Sequence, residues 1–178
     1  MAQNTRDLVM SWCAAEGMNP TAVDSAKLPA DVEWGIVTHP EKDRTLTIAQ
    51  RKSAPHRIEV SASLVLADAH AAAFQALDMG QKARFLLSLR RDVMLLGVAY
   101  QGLSDPLVKT GFIQRVYVND LTQTGFMAAF LAVQSALMIV RGFVQVHLGP
   151  GDTGTGVTDI EPDGPFGDFL EGLDLGGI

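Results

Sequence analysis

The sequence predicts an α+β fold, an antiparallel sheet with helices packed on one face, and three observations carry that prediction. Three short segments between residues 32 and 64 alternate apolar and polar side chains, which is the period of a strand. Stretches after Ala67 and after Thr124 change to the 3.6-residue period of a helix. The strand segments are grouped before helices instead of alternating with them one by one, which separates α+β from α/β. With 178 residues, 47 % of them hydrophobic and 19 % charged, the chain can bury a core. This composition excludes a chain disordered throughout, a coiled coil and a basic nucleic-acid arm.

The elements follow in order. Residues 5–17 read as a first helix with Leu8, Trp12 and Ala15 on one face and Gly17 as its stop. A turn-rich linker, residues 19–29, leads to the three strands. Val32, Trp34 and Ile36 alternate with Glu33 and Gly35; Leu46 and Ile48 with Thr45, Thr47 and Ala49; Ile58, Val60, Ala62 and Leu64 with Glu59, Ser61 and Ser63. Each strand thus has one apolar and one polar face, as expected of a meander covered on one side. A short helix over 67–78 and a longer one over 80–96 follow, the latter with Phe85, Leu89, Val93 and Leu96 on its apolar side and Gly97 past its end. Strands over 98–102 and 112–118 precede a last helix over 124–147. The expected order is α-β-β-β-α-α-β-β-α, a three-stranded meander plus two further strands.

In the last helix Phe126, Phe130, Val133 and Leu137 lead a stripe that Met127, Leu131, Met138 and Ile139 widen until almost no polar side remains. Such a helix is covered on more than one side, so these four residues are expected in core or homodimer contacts. The uncharged run 126–140 is shorter than the roughly 20 residues of a spanning helix, and no membrane span is expected. Arg6, Asp7 and Glu16 interrupt any apolar export signal at the N-terminus. A cytoplasmic protein is expected.

Catalytic signatures are missing from the sequence. Cys13 is the sole cysteine, so neither an internal disulfide nor a Cys-rich zinc site can form. His39, His56, His70 and His147 lie in four separate segments, each read as a turn or surface histidine. No G-x-S-x-G elbow, H-E-x-x-H or phosphate loop occurs. No cofactor, metal or nucleic-acid partner is expected. The basic groups Arg44, Arg51, Lys52 and Arg57, and Lys82, Arg84, Arg90 and Arg91, read as solvated faces.

Charge divides the chain more sharply than composition does. Residues 1–148, expected as a single α+β domain, carry 14 basic and 13 acidic side chains, whereas 149–178 carry 7 acidic and no basic ones. Within this glycine-rich acidic tail, Phe166, Phe169, Leu170 and Leu173 fall at i, i+3, i+4 and i+7, with Asp168, Glu171 and Asp174 on another side. This is the anchor pattern of a short amphipathic helix laid in a groove. Residues 165–175 therefore form a candidate protein-binding motif; a disordered solubilising tail is the alternative.

Three stretches, VEWGIVTHP, KARFLLSLRRDVMLLGVAY and RVYVNDLTQTGFMAAFLAVQSALMIV, together resemble uncharacterised bacterial and archaeal proteins with the fold of type III secretion chaperones and of YbjN-like sensory-transduction regulators. The resemblance covers residues 5–147 and rests on element order and apolar pattern. It implies a small, commonly dimeric α+β domain that binds other polypeptides and has no known catalytic residues. The expected function is a non-catalytic, chaperone- or adaptor-like protein-binding module acting as a homodimer. The alternative is an enzyme or small-ligand binder with a pocket between sheet and helices near Trp34, His39, Arg115 and Tyr117.

Overall fold

A computed structural model describes residues 4–41 and 44–149, without the side chains at 41 and 44. The elements are α1 (Thr5–Ala15), β1 (Thr21–Ala22), β2 (Val32–Glu41), β3 (Arg44–Arg51), β4 (Ala54–Val65), α2 (Asp68–Gln75), α3 (Met79–Met94), β5 (Ala99–Gln101), β6 (Lys109–Tyr117) and α4 (Gln123–Leu148). The fold is mixed α+β, with four helices and a six-stranded antiparallel sheet in the order β1-β2-β3-β4-β6-β5. The expected strand count was one too low. β1 consists of two residues inside the stretch read as a linker, paired as Thr21 with Val37 and Ala22 with Ile36. Two residues are too few to show a period.

The backbone groups into two compact units. In the first, residues 4–60 and 115–128, Asn4 caps α1 by accepting from the Arg6 amide at 3.2 Å. Val9 and Cys13, four residues apart, are its buried positions, while Ala15 is exposed. The buried side is thus rotated from the one expected. Trp12 approaches Phe126 with ring centroids 5.9 Å apart. Strands β2 and β3 pair antiparallel, Ile36 opposite Ile48 and Thr38 opposite Leu46, with register shifts after Val32 and after Thr38. Ile36, Leu46, Ile48, Ile58 and Val60 are fully buried, so alternation did identify the apolar side of each strand.

The polar side departs from expectation. Glu59 and Ser61 of β4 are buried, as is Ala49 of β3, so this side is not the open polar face that alternation alone suggests. A polar residue in a half-apolar strand looks the same in sequence whether water or a charged partner satisfies it.

The second unit comprises residues 61–114 and 129–149. Helix α3 begins with a reciprocal cap: the Gln81 amide donates to Asp78 Oδ1 at 2.8 Å, and the Asp78 amide to Gln81 Oε1 at 3.0 Å. Phe85, Leu89 and Val93 are buried as the period predicts, and Gly97 at φ +67° ends the helix region in the left-handed conformation. Phe85 packs edge-on against Phe74 and Phe143, at centroid distances of 5.5 and 4.9 Å. Beyond β5, Gly102 has φ +75°, and a side chain there would collide with the Lys109 carbonyl. Glycine lets the two segments approach. His70, expected at the surface, is instead buried, with Nε2 3.0 Å from the Gly149 carbonyl oxygen.

Helix α4 carries the apolar stripe that its period predicts. Phe126, Phe130, Val133 and Leu137 are all buried within the single chain, together with Val140 and Val144. Of the two places expected for the first four, the core is where the described chain puts them. Leu131, Met138 and Val146, on other sides of the helix, are exposed. By length and composition α4 could also cross a membrane, but its continuous buried stripe is what a core helix of a folded domain presents.

Candidate functional site: arginines around a buried glutamate

Strand β4 lies between β3 and β6. This order brings Arg51 from the end of β3 and Arg115 from β6 to Glu59 of β4. Arg57 and Glu59 are two residues apart on one strand and so project to the same side. Glu59 is 3 % exposed. Removing a carboxylate from water costs several kcal/mol, which only close, well-directed positive partners offset.

Arg51 provides the first of these partners. Its Nε donates to Glu59 Oε2 at 3.1 Å, and its Nη1 to Asp31 Oδ2 at 3.0 Å. Its charge is therefore divided between two carboxylates, and its side chain is 17 % exposed. The turn after β3 strengthens the arrangement. The Ser53 hydroxyl and amide donate to Asp31 at 3.0 and 3.3 Å, and Lys52 Nζ donates to the Ala30 carbonyl at 2.8 Å. The Arg51 guanidinium, followed by Ser53, holds the Asp31 carboxyl below its ordinary value of 3.8.

The other two arginines have only one carboxylate oxygen between them. Arg57 Nη2 lies 3.1 Å from Glu59 Oε1, while Arg115 Nε lies 3.7 Å from the same atom, beyond hydrogen-bonding distance. Their side chains are 26 % and 30 % exposed. Among the described residues, the Nε–H groups of both are buried without a hydrogen-bond partner. Three guanidiniums against two carboxylates leave one net positive charge, and that charge resides on the two outer arginines. Both Glu59 oxygens face guanidiniums, so on the Arg57–Arg115 side the partly exposed groups of the cluster are cations. Two residues after Arg115, Tyr117 is 54 % exposed, and its ring stacks with that of His56 at 6.1 Å between centroids.

A model of a family described as Uncharacterized conserved protein (DUF2299) matches residues 5–143. The chain belongs to the DUF2299 family. The match includes Asp31, Arg51, Arg57, Glu59 and Arg115 and ends before the acidic tail. Among solved structures, an uncharacterized protein from Methanothermobacter thermautotrophicus superimposes with a TM-score of 0.73 at 18 % identity, covering 82 % of this chain and 100 % of the other. At this identity the likeness is one of fold. No curated protein matches the chain.

The remaining sequence candidates of this DUF2299 chain are held separately. Trp34 is buried and donates through Nε1 to Gln50 Oε1 at 2.7 Å; His39 is exposed, with Nδ1 3.3 Å from the Thr45 hydroxyl. Of the four residues named for a small-molecule pocket, Trp34 and His39 lie on β2, and Arg115 and Tyr117 on β6. Phe166, Phe169, Leu170 and Leu173 lie outside the described residues. Among the described residues, no group of three or more His, Cys, Asp or Glu side chains could hold a metal ion. Cys13 is buried, and burial pushes its thiol up to about 11, so it is neutral at ordinary pH.

Sequence reasoning missed Glu59 as an organising residue and assigned Arg51 and Arg57 to a solvated face. The available signal was the Arg57-x-Glu59 spacing on one strand side, with further arginines at the ends of other strands.

Denaturant unfolding of variants over a pH series tests the cluster. Glu59→Ala, which leaves Arg57 and Arg115 without their carboxylate, is expected to cost about 3–5 kcal/mol. Asp31→Asn is expected to cost less, and its effect has a defined pH window. A carboxyl whose folded-state value is lowered stabilises the fold fully above the ordinary 3.8, and this contribution disappears as pH falls through the lowered value. The wild-type and Asp31→Asn curves should therefore differ at neutral pH and converge in acid.

Proposed function

We propose that this protein is a non-catalytic polypeptide-binding module, chaperone- or adaptor-like and cytoplasmic, whose recognition surface is the Arg57–Arg115 side of the Glu59 cluster. The finer fold assignment belongs to the same proposal: a domain of the type III secretion chaperone kind, related to YbjN-like regulators. One observation carries the functional reading. Two partly exposed guanidiniums share a single carboxylate oxygen and leave one positive charge uncompensated. A guanidinium fork fits a second carboxylate through paired N–H donors. The exposed Tyr117 ring supplies apolar area beside that charge. An acidic peptide with aromatic or aliphatic side chains offers both.

The probe is a dye-labelled peptide of Asp, Glu, Phe and Leu, followed by fluorescence anisotropy. The full chain should bind it saturably, with affinity falling as salt is added. Arg115→Gln should weaken binding at least about tenfold, the scale of one charge-assisted contact. Because Arg115 makes the loosest contact with Glu59, Arg51 and Arg57 remain to hold the fold. Equal binding by a peptide with Asn and Gln in place of its acids would overturn the reading.

A homodimer forms part of the proposal, with its interface on the side of α4 bearing Leu131 and Met138 and not on the buried stripe. These two residues are seven apart, hence on one helix side, and both are exposed. Light scattering should give twice the chain mass at micromolar concentration, and Met138→Glu should halve it. A monomeric wild type would remove this part.

A further inference from the structure

The chemistry of the Arg57–Arg115 surface can be matched against the chain's own sequence. We infer that the acidic C-terminal segment of the same molecule is the resident occupant of this surface, and that a partner polypeptide must displace it. The inference rests on the binding reading above and adds its regulation.

Charge provides the first support. The last 29 residues, 150–178, carry seven acidic side chains, Asp152, Asp159, Glu161, Asp163, Asp168, Glu171 and Asp174, and no basic one. The residues before them are nearly neutral overall. An uncompensated guanidinium pair therefore meets a strongly acidic chain tethered to its own molecule. Side-chain chemistry provides the second. Asp168, Glu171 and Asp174 are interleaved with Phe166, Phe169, Leu170 and Leu173, the combination that two arginines beside an exposed tyrosine accept.

Reach provides the third. The described chain ends at Gly149, and an extended peptide covers about 3.3 Å per residue. The 15 residues from 150 to 164 could therefore span up to about 50 Å when fully extended. Their glycines and prolines, at 151, 154, 156 and 164 and at 150 and 162, oppose a stiff helical spacer. A short tether of this kind gives its end an effective concentration of about a millimolar, so even weak carboxylate–guanidinium contacts would keep the surface occupied.

The test uses full-length chains and a dye-labelled peptide of residues 160–178. One chain has its native tail; the other carries Asp152→Asn, Asp159→Asn, Glu161→Gln, Asp163→Asn, Asp168→Asn, Glu171→Gln and Asp174→Asn, none of which lies in the described fold. The peptide should bind the amide-tailed chain at least about tenfold more tightly, because its intramolecular competitor is disabled. Arg115→Gln in that background should abolish the gain. Light scattering should give the same mass for both tails.

Equal peptide affinity for the two chains would overturn the inference while leaving the binding reading intact. So would failure of the 160–178 peptide to bind either chain when the general acidic probe does bind. A mass that falls on tail neutralisation would place the tail on a second copy and overturn the same-molecule assignment. If neither peptide binds either chain, the binding reading itself fails.

Discussion

A carboxylate on an inner strand, almost wholly removed from water, must recover the lost solvation from its neighbours. Glu59 has this problem, and the surrounding structure is arranged to solve it. Arg51 reaches one oxygen from β3, Arg57 the other from β4 itself, and Arg115 approaches from β6. The requirement extends beyond the side chains. Asp31 takes the second arm of Arg51, and the turn after β3 is held to the segment before β2 through Ser53 and Lys52. The ends of β2 and β3 are thereby joined at one charged site. The energetic logic is asymmetric: the complete set can be close to neutral, whereas loss of the central carboxylate leaves several cations facing one another.

The opposite side of the sheet is stabilised by ordinary burial. Ile36, Ile48, Ile58 and Val60 exclude water and need no directional partner. Helix α4 adds Phe126, Phe130, Val133 and Leu137 to the buried set. An apolar side tolerates shape-preserving exchange, but the charged side specifies which residue must sit where. On the proposed reading the tasks overlap only in part: Arg51 and Arg57 hold Glu59, and the positive charge left over on Arg57 and Arg115 is what a partner would meet.

Much of the fold could be read from the sequence because periodicity reports apolar burial directly. The strand around Ile58 and the helix through Phe85, Leu89 and Val93 are examples. Gly97 was readable for a different reason, since a helix that ends on a left-handed residue favours glycine. Where burial was not apolar, the signal failed. Glu59 and Ser61 occupy the alternate positions of β4, which in most strands face water, and His70 sits in an alanine-rich helix that gives no hint of a partner at Gly149. Arg51 was visible as one of a basic group, but its pairing with an acid on the next strand depends on strand order, which no local pattern encodes. The two residues of β1 are shorter than a single period.

The proposed function divides the arginines by task. The most direct measurement is the nitrogen–proton NMR spectrum of the arginine Nε–H groups, recorded with and without a saturating acidic peptide. The Arg51 signal, fixed by its bond to Glu59, should stay in place while those of Arg57 and Arg115 move as their guanidiniums gain a carboxylate. Movement of Arg51 with the others, or no movement of any of the three at saturation, would contradict this division.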